Sequence, residues 1–104
     1  MTRDSNRLIM ELDMQRREVN REMINPIMAT AEIATLLPVV NVCAKARAAY
    51  IKCLMEIATD DSDESCSFDQ IEQLKQYRIA YEELIGAANA LETVIKRDYV
   101  DVKG

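Results

Sequence analysis

Between Ile27 and Ala44 the chain carries one charged side chain, Glu32, and this stretch constrains the fold more than any other feature. A helix that is apolar on every side has to be enclosed by neighbours. A membrane is a poor enclosure for it. From Met23 to Cys43 the segment is interrupted by Pro26 and Pro38 and holds Glu32 near its middle, where a charge costs ~2.5–3.5 kcal/mol on insertion scales. A buried core helix is the expectation.

The rest of the chain reads as helix too. Two Gly and two Pro in 104 residues, with abundant Ala, Leu, Met, Glu, Arg and Gln, leave no alternating run long enough for a strand. Val39-Val40-Asn41-Val42 is the one β-prone run. A first helix is expected over about 4–24, with Leu8, Ile9, Leu12, Val19, Met23 and Ile27 inside an arc of about 100° that packs inward. A second is expected over 26–58, with Asn25 forced out of helical geometry as its cap, Pro26 in its first turn, and a kink or short break near Pro38. After an acidic loop, 59–67, the pair Ser67 and Gln70 forms a capping box that opens a third helix over 68–97. Leu74, Tyr77, Tyr81, Leu84, Ala88, Leu91 and Ile95 then recur at alternating steps of three and four, an unbroken heptad seam.

The second and third helices, each about 45 Å long, are joined by a short loop and should lie antiparallel. Facing residue numbers should add to about 126, which sets Tyr77 and Tyr81 against the small residues 44–49 and Gly86, Ala87 and Ala88 against 36–40. The fold class expected is therefore all-α: one domain, 1–104, an antiparallel helical hairpin plus an N-terminal helix, as a three-helix or a dimeric coiled-coil-like bundle. One partner helix and a first helix of this length cover only two sides of the second. A second copy of the chain is the simplest cover for the third, so a homodimer is expected.

Charge and reactive residues narrow the function classes. Of the net −5, the excess lies between residues 59 and 73, where Asp60, Asp61, Asp63, Glu64, Asp69 and Glu72 face no base, while both flanks are balanced. Without a basic stripe, nucleic-acid binding is disfavoured. The chain has no His, hence no commonest general base and no imidazole to activate a nucleophile. Glu82, Glu83 and Glu92 lack metal-ligand partners at useful spacing, and no Gly-rich phosphate loop exists. No catalytic residue, cofactor site or metal site is expected. Cys43, Cys53 and Cys66 form an odd, unpatterned set, read as buried free thiols in a reducing, cytoplasmic compartment; no signal peptide is expected, because Leu8-Ile9-Met10 runs directly into Glu11 and Asp13.

Counted from Asp61, oxygen-bearing side chains occupy the first, third, fifth, seventh, ninth and twelfth places, Asp61, Asp63, Ser65, Ser67, Asp69 and Glu72. That spacing resembles the calcium-binding EF-hand loop. The resemblance covers twelve residues and departs at the sixth, where Cys66 stands instead of Gly. An acidic linker followed by a capping box yields most of the same residues for other reasons.

On the first helix, Asp4, Glu11 and Glu18 share one edge, while Arg3, Met10 and Arg17, and Arg7, Met14 and Arg21, share another opposite the Leu-Val stripe. Arg and Met are suited to interfaces. Arg3, Arg7, Met10, Met14, Arg17 and Arg21 are therefore the candidate partner-binding residues of a non-enzymatic protein-protein interaction module, an adaptor, chaperone or regulator. The alternatives are an acidic inhibitor of a nucleic-acid-binding protein and a calcium-responsive protein using the 61–72 loop.

Overall fold

The computed structural model describes residues 2–60 and 65–104. It is mostly helical, with α1 at Arg3–Ile24, α2 at Ile33–Ala58 and α3 at Phe68–Lys96, plus two two-residue strands, β1 at Thr30–Ala31 and β2 at Asp101–Val102. The all-α class holds. The described residues gather into two compact units, one made of the chain up to Thr35 and from Leu91 onward, the other of Leu36–Ala90.

Local chemistry sets the helix ends. At the start of α1, Thr2 accepts the Ser5 amide at 3.1 Å, with Asp4 in the first turn favoured by the helix dipole. Asn25 does not cap a second helix. It stays helical, with φ −50° and ψ −46°, and donates its amide to the Arg21 carbonyl, closing α1. The Ile27 and Met28 amides then both bond to the Ile24 carbonyl at 2.9 Å. The helix expected from Pro26 therefore begins seven residues later, at Ile33. There the Glu32 amide donates to Thr35 Oγ1 at 3.1 Å while the Thr35 hydroxyl donates back to the Glu32 carbonyl at 2.8 Å. Pro38 falls in the second turn of α2, which runs through it without a break. As the sixth residue of the helix, Pro38 lacks the amide that would otherwise donate to the Ala34 carbonyl. Val39 to Val42 is helical as part of the same element.

The capping box of α3 forms as expected, with the Gln70 amide on Ser67 Oγ at 3.1 Å and the Ser67 amide on Gln70 Oε1 at 2.9 Å.

In the Leu36–Ala90 unit, α2 packs against α3. Cys43 Sγ donates to the Leu84 carbonyl at 3.7 Å. Arg47 Nη2 and Nε donate to the Tyr81 hydroxyl at 3.0 and 3.2 Å, and the Tyr50 and Tyr81 rings lie 6.1 Å apart. The Cys43–Leu84 and Arg47–Tyr81 pairs match the expected register to within about two residues, while Tyr50 meets Tyr81 about five residues from it. Gly86 departs from it, for no heavy atom of the described residues lies within 4 Å of where its Cβ would stand.

In the other unit, β1 and β2 pair in parallel, Thr30 with Asp101 and Ala31 with Val102, and the Lys103 amide donates to the Ala31 carbonyl at 2.9 Å. These strands were not expected, since two residues are too few for an alternation to be seen. Asp98, at φ 59°, ends α3 in the left-handed conformation. The Tyr99 amide reaches the Val94 carbonyl at 2.9 Å and the Asp98 amide reaches Ile95 at 3.2 Å, the two bonds of a Schellman cap. That cap turns Val100 inward, where it is 4% exposed beside a unit that also buries Ala31 at 1%.

Candidate docking surface

The property that sets this chain apart is how little of it is buried. Among the described residues only Ala31, Cys53 and Val100 are buried hydrophobics. None of the 22 residues of α1 is buried. The inward stripe expected for this helix is a correction: Leu8 is 65% exposed, Met23 67%, and Ile9, Leu12, Val19 and Ile27 are exposed with them. The periodicity is real, but the stripe is exposed rather than packed as a core.

The six candidate partner-binding residues fall in three places. Arg3, Arg7, Met10 and Met14, with Asn6 and Glu11, line a shallow apolar groove of about 460 Å³ along α1. Arg17 lies in a separate cleft of about 220 Å³ with Asp13, Arg16, Arg97 and Tyr99. Arg16 is paired with Asp13 at 2.6 Å. Arg21 is engaged within its own unit: its guanidinium donates to the Asp98 carbonyl at 2.5 Å and to the Asp101 carboxylate. It serves as a latch, so the outward face retains Arg3, Arg7, Met10 and Met14.

Reading the sequence alone misses two surfaces on α2. Leu36, Val39, Cys43, Ala46, Tyr50, Cys53 and Ile57 are its half-buried or buried line, stepping by three and four as the α3 seam does. A helix apolar around most of its girth offers little contrast by which to pick one face. On the opposite side Leu37, Val40, Ile51 and Met55 are exposed, as are Ala44 and Ala48 between them. On α3, Leu74, Tyr81, Leu84, Ala88, Leu91 and Ile95 are half-buried as the heptad predicts, with Tyr77 at its edge.

All three cysteines are free, with Cys53 buried, Cys43 half-buried and Cys66 exposed. The exposed Cys66 corrects the expectation that all three are buried. Of the calcium-type loop, Asp61 and Asp63 lie outside the described residues, and among the described residues no group of three His, Cys, Asp or Glu side chains could hold a metal ion. No described helix is long and apolar enough to cross a membrane. The chain matches no protein-family model, no curated protein and no solved structure.

Proposed function

We propose that this chain is a non-enzymatic protein-interaction module that works by helix-on-helix docking, as a small adaptor, chaperone or regulator would, in the cytoplasm. One observation carries the reading: an amphipathic helix of 22 residues, α1, with an ordered apolar stripe and no buried residue. Isolated helices of this length are marginal in water and draw most of their stability from packing a face. Burying Leu8, Leu12, Val19 and Met23 would each contribute about 1.5–3 kcal/mol, so α1 is built to be covered. The Arg3, Arg7, Met10 and Met14 face gives a second, polar-rimmed contact of the kind interfaces favour. Three free thiols suit a reducing compartment.

The test is affinity capture from the native host with wild type and with Leu12→Glu/Val19→Glu, followed by mass spectrometry. The reading expects a partner, another protein or untagged copies of this chain, that is retained by wild type and lost from the variant, with the variant's circular dichroism unchanged. Identical capture by both would remove α1 as the docking element.

A further inference from the structure

Resting on the docking reading above, we infer that the occupant of the α1 stripe is the exposed outer face of α2 in a second copy of this chain, with the two helices running side by side in the same direction and the arrangement repeated reciprocally.

Charge spacing is the first argument. The α1 stripe of Leu8, Leu12, Val19 and Met23 is flanked on one edge by Asp4, Glu11 and Glu18, at seven-residue steps. The α2 stripe of Leu37, Val40, Ala44, Ala48, Ile51 and Met55 is flanked on one edge by Lys45 and Lys52, also seven apart; the one acid of α2, Glu56, sits a turn beyond Lys52 in an exposed ion pair with it at 3.9 Å, which Glu18 would join or replace. Two carboxylates and two ammonium groups thus stand at the same pitch of about 10.5 Å. The acidic edge lies on the amino-terminal side of rotation from its stripe and the basic edge on the carboxy-terminal side. Such edges meet only when paired helices are parallel, where flanking charges join residues five positions apart. With Glu11 beside Lys45 and Glu18 beside Lys52, Leu8 comes level with Leu37, Val19 with Ala48, and Met23 next to Ile51. Leu12 falls level with Asn41 and Gln15 with Ala44, so the apolar match is made at the Leu8–Leu37, Val19–Ala48 and Met23–Ile51 levels and is interrupted by polar residues between them.

Chain connectivity excludes the molecule's own α2 from that role. In this register the end of α1 and the start of α2 are about 30 Å apart along the axis. Residues 25–32 would have to be fully extended to span it. Instead the Ile27 and Met28 amides are bonded back to Ile24, and Thr30–Ala31 is paired with Asp101–Val102. The parallel partner must come from another molecule.

Sedimentation equilibrium of the full chain should give twice 11.8 kDa. Carbodiimide coupling of a 1:1 mixture of ¹⁴N and ¹⁵N protein should join Glu11 to Lys45 and Glu18 to Lys52 in mixed-isotope peptides. Glu11→Lys/Glu18→Lys should weaken the dimer about 10-fold or more, Lys45→Glu/Lys52→Glu likewise, and mixing the two variants should restore association to within about 3-fold. A monomeric mass, cross-links only within one isotope, or a dimer without charge-swap rescue would each overturn the second-copy proposal. None of these touches the docking reading, which falls only if Leu12→Glu/Val19→Glu leaves capture unchanged.

Discussion

Arg21 and Asp101 are 80 residues apart in sequence and joined by an ion pair, with the same guanidinium also holding the Asp98 carbonyl. The contact ties the end of α1 to the chain just past α3, where β2 meets β1. Arg21→Leu should destabilise this unit by about 1 kcal/mol, a modest figure because the pair is largely solvent-exposed. Its signature is faster hydrogen exchange at the Lys103 amide, which bonds across the strands, with exchange in the first turns of α3 unchanged. Asp101→Asn should do less, since the carbonyl bond remains. An unaltered Lys103 rate in Arg21→Leu would mean that the strands hold without the latch.

Asp98 occupies a left-handed position that costs a side-chain-bearing residue energy and costs Gly almost none. Asp98→Gly should therefore stabilise by about 0.5–1 kcal/mol, and Asp98→Val should destabilise by about 1–2 kcal/mol. Urea midpoints of the two variants should move in opposite directions.

Gly86 stands inside α3 with open space where a methyl group would go. Gly86→Ala should add about 1 kcal/mol through helix propensity alone, read from thermal unfolding. A loss instead would show that a second backbone approaches this point in the assembled state.

Ser67→Ala removes the hydroxyl that receives the Gln70 amide and should cost about 1 kcal/mol. The loss should appear as fraying of the first turn of α3 by amide exchange.

Thiol labelling should follow burial, with Cys66 reacting first, Cys43 more slowly and Cys53 last. Cys43 and Cys53 should speed up under the same denaturant that unfolds α2. Comparable rates for all three in the native state would contradict the packing of α2 against α3.

The three helices, the Ser67–Gln70 cap and the α3 seam were legible because each is written within a few consecutive residues, at the 3.6-residue period or in a capping pair. The start of α2 was not. Asn25-Pro26 has the residue types of a helix start, yet the amides of Ile27 and Met28 find the Ile24 carbonyl first, and β1 fills the gap through a partner 71 positions away. No local pattern encodes so distant a pairing. Nor could the six docking candidates be sorted by spacing, since Arg21 is claimed by Asp98 and Asp101 only once the chain has folded.

Composition and periodicity alone settled that this protein is helical and that α1 has an apolar stripe, because backbone geometry translates spacing directly into faces. Whether a face is covered depends on which other residues arrive beside it, and that is a property of the tertiary structure. It leaves Leu8, Leu12, Val19 and Met23 exposed, where spacing predicted a core.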